Sequence, residues 1–213
     1  MPRVAIVDYR LGNLFSIRNA CAAAGLETLL SSERSELLAA DAVILPGVGA
    51  FGDAMRNLRE LDLVEPLRDI AASGKPLVGI CLGMQLLMSV SHEFGTHEGI
   101  GAIRGSVERL PDAGLKVPHV GWEAIERSRD WRGTPLDGVD DGAFMYFVHS
   151  YYVRPEQDAI GLTATRFGPL SFCSTILAGN IFATQYHPER SGRDGLRIYR
   201  NIPTFIARCS GGV

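Results

Sequence analysis

Val78-Gly79-Ile80-Cys81-Leu82-Gly83-Met84-Gln85 sets a cysteine between two glycines, at the end of one apolar run and the start of another. A residue perched on a sharp strand-to-helix turn needs small neighbours two positions away on either side. Larger side chains there would block the close approach of strand and helix. The spacing predicts a strand over Pro76–Ile80, a helix over Gly83–Ser89 and a sulfur lifted out of a sheet between them. Unpaired N–H groups and the helix dipole at such a place favour a thiolate, which makes Cys81 a candidate nucleophile. The same residues also describe a tight turn around an inert, buried thiol, so a second site has to decide.

That site lies in Ile181-Phe182-Ala183-Thr184-Gln185-Tyr186-His187-Pro188-Glu189, an apolar, β-prone run that ends in His-Pro-Glu. Residues two apart on extended chain face the same side, and a proline keeps the residue before it extended. Glu189 is therefore expected beside His187, fixing the tautomer of its ring and stabilising the imidazolium. Cys81, His187 and Glu189 then form a nucleophile, base and orienting group.

Outward from Cys81, strand-like and helix-like segments alternate. Val4–Asp8, Thr28–Leu30 and Ala42–Leu45 read as strands, while Asn13–Ala24 reads as a helix with Gly25 at its end. Phe51–Ser73 also reads as helical, divided at Pro66. After a middle stretch with little pattern (Glu93–Asp141), Phe144–Val153, Ile160–Phe167, Phe172–Leu177 and Ile181–Tyr186 are β-prone, the last three close enough for antiparallel hairpins. A helix over Gly192–Ala207, with a stripe of Leu196, Tyr199, Ile202 and Ile206 and a kink expected at Pro203, closes the chain. The expected fold is α/β, with a mostly parallel central sheet, helices on both faces and additional antiparallel strands. Residues 1–213 are expected to form a single domain.

In open α/β sheets, ligands bind beyond the carboxyl ends of the strands. Pro46-Gly47-Val48-Gly49 follows a strand and offers backbone N–H groups with little side-chain obstruction, though it also reads as a bare turn. Attack by Cys81 on a carbonyl would create a negative oxygen, for which the N–H of Leu82 and one from Val48 or Gly49 are candidate donors. Gln85, one helical turn after Cys81, could hydrogen-bond a polar substrate. His149-Ser150-Tyr151 could add contacts to a small zwitterion, with His149 itself read as structural.

Composition narrows the choice. Of 213 residues, 46% are hydrophobic and 21% charged, and the formal net charge is −3. That charge, without a Lys/Arg cluster, argues against binding nucleic acid or an anionic membrane. Cys21, Cys81, Cys173 and Cys209 are scattered without Cys-x-x-Cys or zinc-like spacing, so neither a metal nor a cofactor is expected. The chain enters a strand at once, without a signal-peptide core, and carries no apolar run of membrane-spanning length. A reduced, cytoplasmic protein is expected.

With these pieces assembled, the chain resembles the class I, triad-type glutamine amidotransferases, essentially end to end. The Cys81 and His187-Pro188-Glu189 motifs carry that likeness. Asp8-Tyr9, Gly12-Asn13-Leu14, Val117-Pro118-His119-Val120-Gly121-Trp122 and Phe147-Val148-His149-Ser150-Tyr151 resemble the branch of glutaminase subunits that serve imidazole glycerol phosphate synthases. The resemblance implies that Cys81 attacks the side-chain amide of L-glutamine with help from His187, oriented by Glu189. It also implies that Gly49, Gln85, Ser150 and Tyr151 bind glutamine. It further implies a heterodimer with a (β/α)8-barrel cyclase subunit. That partner would meet Asn13, His119 and Trp122, and ammonia would be channelled to it for histidine biosynthesis.

Arg10 stands where this branch commonly has glycine, Glu123 where asparagine is usual, and Arg190 where lysine is frequent. The first two fall in segments expected to face the partner, which leaves open a related synthase such as one for surface sugars. A stand-alone cysteine hydrolase and a non-catalytic subunit are the competing classes. The former predicts turnover without a partner, and the latter predicts loss of Cys81, His187 or Glu189, all of which are present.

Overall fold

Arg3–Val7 (β1) sends alternate residues to opposite sides of the molecule. Val4 and Ile6 enter one apolar core with Ile17, Cys21, Ile198 and Ile202, while Ala5 and Val7 enter a second with Leu37, Met55 and Leu67. A strand buried on both faces in this way belongs to a sheet sandwiched between helices. The computed structural model describes residues 1–112 and 114–211.

The chain continues through α1 (Leu14–Ala23), β2 (Glu27–Ser31), α2 (Arg34–Ala39), β3 (Ala42–Leu45), α3 (Phe51–Glu60), α4 (Val64–Ala72), β4 (Leu77–Ile80) and α5 (Leu82–Leu86). Next come β5 (Met88–Ser91), β6 (His97–Glu98), β7 (Ile103–Arg109), β8 (His119–Ala124), β9 (Glu126–Arg127), β10 (Phe144–His149) and β11 (Tyr151–Pro155). The last are β12 (Gly161–Phe167), β13 (Leu170–Ala178), β14 (Ile181–Thr184) and α6 (Gly192–Ser210).

Eight strands form the central sheet, in the order β2-β1-β3-β4-β14-β13-β12-β9. The pairs from β2 across to β14 are parallel, and β14-β13-β12-β9 are antiparallel. Beside it stand a two-stranded ribbon, β8 with β10, and a four-stranded sheet, β11-β7-β5-β6. This is the expected α/β architecture. β4 and β14 are neighbours in it, with Ile80 opposite Thr184, so Cys81 and the His-Pro-Glu segment leave the sheet side by side.

Several local expectations change. The long helical stretch is broken by Asp62, at φ 53°, and not at Pro66, which sits in the first turn of α4, where a missing N–H costs nothing. The helix after Cys81 ends at Leu86, and Met88 already begins β5. Phe144–Val153 is two strands in two different sheets, parted at Ser150. The final helix runs through Pro203 to Ser210 and buries Gly195, Ile198 and Phe205 along with Tyr199, Ile202 and Ile206, while Leu196 is only partly covered.

Candidate active site

Cys81 has φ 53° and ψ −108°, a region that residues with a Cβ rarely adopt and that costs roughly 1–3 kcal/mol. The positions two residues away on either side have little or no room for a side chain. A Cβ on Gly83 would stand 1.9 Å from the Leu45 carbonyl oxygen, and one on Gly79 would stand 3.0–3.1 Å from Leu87 and Met84. The Cys81 N–H is tied to the Thr184 carbonyl at 2.7 Å, and the Cys81 carbonyl accepts from Met84 and Gln85 at 3.0 and 3.3 Å. Strand, elbow and helix are thus fixed together, with the sulfur at the elbow.

His187 keeps the extended conformation expected before proline, but Pro188–Arg190 is a 3-10 turn and not extended chain. The turn folds Glu189 back, so that its Oε1 lies 2.8 Å from His187 Nδ1. The carboxylate can only accept, so Nδ1 carries the proton and Nε2 is left as the base. Nε2 is buried and has no partner among the described residues. Burial would lower the pKa of His187, but the charge of nearby Cys81 and the bonded carboxylate of Glu189 outweigh it and raise the value.

Val48, Gly49, Cys81, Leu82, Gln85, Glu93, Pro118, Val148, His149, Ser150 and Tyr151 line a cavity of about 280 Å³. Every residue expected to bind the substrate or a developing oxyanion is in that lining. Leu82 is the first residue of α5, so its N–H has no partner within the helix. Tyr9 holds the opposing loop, its hydroxyl donating to the Pro46 carbonyl at 2.7 Å. Burial, and then the charge of Cys81, push the Tyr9 pKa up, so it stays a donor. The Gln85 amide is fixed by the carbonyl of Tyr151 at 2.9 Å. A larger hollow of about 660 Å³ lies between Ser32 and Pro66, and neither cysteine nor histidine is among the residues that line it.

Two residues outside the sequence expectation also stand at the cavity or at the sulfur. Glu93 lines it while its Oε2 accepts from the Phe51 N–H at the start of α3. Gln185 reaches within 3.7 Å of the sulfur. A lone glutamate in a patternless stretch carries no signal. Gln185 had one, because it stands two residues before His187 on β-prone chain.

The three residues expected at a partner face separate. Asn13 caps α1, its side chain accepting from the Ser16 N–H at 3.4 Å. His119 turns inward against Phe147 and Phe167, its Nδ1 3.1 Å from His149 Nε2. Trp122 faces solvent, 51% exposed, beside Val120 and Phe144.

A family model described as "Glutamine amidotransferase class-I" matches residues 5–202. The chain belongs to that family. Among class I amidotransferase relatives, "Imidazole glycerol phosphate synthase subunit HisH" of Rhodopirellula baltica is 46% identical over 203 residues, covering 94% of this chain and 97% of the relative. The subunit of the same name from Moorella thermoacetica is 45% identical over 206 residues, covering 97% and 96%. Among solved structures, a glutamine amidotransferase superposes with TM-score 0.73 at 19% identity over 98% of this chain and 99% of that one. PurLQS from Thermotoga maritima gives 0.74 at 20% identity over 95% and 97%. At that identity the two structures speak for the class I amidotransferase fold alone. No helix among the described residues is long and apolar enough to cross a membrane.

Proposed function

We propose that this chain is the glutaminase subunit of an imidazole glycerol phosphate synthase, a single domain over residues 1–213 that works in the cytoplasm. The observation that carries this reading is the Cys81 elbow at the cavity, backed by His187 and Glu189, in a chain about as long as relatives that bear that subunit's name.

In this reading the reaction has two halves. His187 Nε2 takes the thiol proton, and Cys81 Sγ attacks the side-chain carbonyl carbon of L-glutamine. The negative oxygen falls between the N–H of Leu82 and those of Val48 and Gly49. The C–N bond then breaks, ammonia leaves with the proton from His187, and a glutamyl thioester remains. Water, deprotonated by His187, releases glutamate and restores the thiol. Gln85, Glu93, Ser150 and Tyr151 hold the amino acid end of the substrate.

The partner in this reading is a (β/α)8-barrel cyclase subunit that forms a heterodimer with this chain and receives the ammonia for histidine biosynthesis. The ribbon of β8 and β10 offers it an apolar face: Val120, Trp122 and Phe144 are more than half exposed. Glutamate release from L-glutamine, measured with the chain alone and with the barrel subunit and its ribotide, tests the reading. Strong stimulation is expected. Turnover that ignores the partner would replace it with a stand-alone hydrolase. Reaction with a glutamine-analogue thiol inhibitor but no binding of the barrel would move the chain to a related synthase.

A further inference from the structure

Gln185 is fully buried beside the nucleophile. Its Nε2 lies 3.7 Å from Cys81 Sγ, and its Oε1 lies 3.1 Å from Gln85 Nε2. The hydrogen-bond partners decide which end of the amide faces the sulfur. Gln85 Nε2 is also 2.9 Å from the carbonyl of Tyr151, an atom that can only accept. The group of Gln85 at that point is therefore NH2, and its second N–H is directed to Gln185. Gln185 must answer with its oxygen, which leaves its own NH2 for the sulfur.

On another side of Sγ, 3.9 Å away, is the carbonyl of Val148. A carbonyl can take the S–H of a thiol but repels a thiolate. An amide N–H does the opposite. The sulfur thus has one neighbour suited to each protonation state, while Nε2 of His187 is without a partner among the described residues and ready to take the proton.

We propose that Gln185 is a further catalytic residue, whose side-chain N–H donates to the Cys81 sulfur and holds the thiolate in position for attack. The inference deepens the glutaminase reading and rests on it for its substrate. When the S–H proton passes to His187, the Gln185 N–H takes up the charge left on sulfur. As the C–S bond forms that charge moves onto the carbonyl oxygen. When water later cleaves the thioester, the electron pair of the C–S bond returns to sulfur and the same N–H stabilises the leaving thiolate. Gln85 then has two duties, since the amide that faces the substrate cavity also dictates the orientation of Gln185.

The decisive measurement is the rate at which iodoacetamide alkylates Cys81 in the full chain, followed by mass spectrometry of the Cys81 peptide. It runs alongside kcat and KM for glutamine in the complex. Gln185→Met keeps length and apolar packing but cannot donate. Hydrogen bonds to charged groups are strong enough for alkylation to slow by about tenfold or more, with kcat falling in step and KM held within about twofold. Gln185→Glu keeps the shape and the acceptor for Gln85 but turns an oxygen toward the sulfur. It should alkylate at least as slowly as the methionine variant. Wild-type alkylation in either variant would overturn the proposal, because a role in packing alone would be restored by the isosteric glutamate. The reagent needs no glutamine site. Slow alkylation in a chain that hydrolyses no glutamine would leave this inference standing and sink the substrate assignment.

Discussion

Glu189 Oε1 lies 2.8 Å from His187 Nδ1 across a 3-10 turn, with the Glu189 side chain wholly excluded from solvent. The turn does what an extended chain would do less well. It folds the carboxylate back under the ring and leaves His187 Nε2 buried and without a partner among the described residues, as the proposed base requires. Glu189→Gln keeps the shape but can donate to Nδ1, which favours the wrong tautomer. Glutamine turnover should fall by roughly 10²-fold, the scale of general-base catalysis. Cys81→Ala should abolish it altogether, while synthesis from added ammonia survives. Steady-state rates of both variants in the complex check the ranking, and equal losses would contradict it.

The glycines at the elbow have separable roles. At Gly83 a Cβ would meet the Leu45 carbonyl oxygen at 1.9 Å, and strand and helix backbones cannot part without opening the core. Gly83→Ala should cost upwards of about 3 kcal/mol, or prevent folding, as overpacking of a rigid contact does. Gly25 has φ 74° with open space around it, so Gly25→Ala should cost only about 1 kcal/mol of left-handed strain. Denaturant unfolding of the two variants makes the comparison. Similar losses would mean that the helix can shift away from Leu45.

The elbow was legible because backbone crowding leaves a mark in sequence. Glycines at 79 and 83 are demanded by atoms within about 3 Å, and the β-prone run before His187 must lie flat in a sheet. The middle of the chain was not legible, for a physical reason. β6 and β9 have two residues each and β8 alternates buried His119 with exposed Val120, so no period is long enough to read. Glu93 reaches the cavity from a loop after β5, a placement set by tertiary contacts with α3. The break at Asp62 was invisible for a related reason. A positive φ at an aspartate is a local choice, whereas a proline announces itself.

His149 is kept neutral by burial, and its pKa is pushed down to about 3 although its Nδ1–H donates to the Tyr151 carbonyl at 2.8 Å. An unfolded histidine takes up its proton near pH 6.5. Between that pH and about 3 the unfolded chain therefore binds more protons, so stability rises with pH across this window and is lost as pH falls through it. One such group contributes a slope of about 1.4 kcal/mol per pH unit. His119, whose pKa burial also lowers, adds in the same sense. Chemical denaturation at pH 7, 6 and 5 should show the loss, and His149→Gln, although weaker at pH 7, should show a flatter slope. An unchanged slope would assign the acid sensitivity to other groups.

The loop facing the sulfur gives a prediction about the oxyanion. Val48→Pro removes one candidate N–H, while Tyr9 still anchors the loop through the Pro46 carbonyl. If the Val48 amide is a donor, partner-stimulated turnover should drop by about 10²–10³-fold with Cys81 alkylation little changed. Full stimulated turnover would leave the role to Gly49 and Leu82.

The ribbon of β8 and β10 joins the exposed apolar face to the base. Trp122 packs edge-on to Tyr146 at 6.0 Å between centroids, and the Arg190 guanidinium lies 4.4 Å over the Tyr146 ring. The Tyr146 carbonyl accepts from the His187 N–H at 2.9 Å, and Ser191 Oγ accepts from the Tyr146 N–H at 3.0 Å while donating to the His187 carbonyl at 2.6 Å. A partner that covers Trp122 would therefore press on a strand bonded directly to the backbone of His187. If the proposed synthase partner docks on this face, Trp122→Ala should weaken its binding by about tenfold or more, the scale of a central aromatic anchor. It should also lower maximal stimulation even at saturating partner, because Tyr146 loses the ring it packs against. Titration of the partner separates the two effects. Unaltered affinity would remove Trp122 from the docking face, and full stimulation at saturation would show that the ribbon holds the partner without acting on His187.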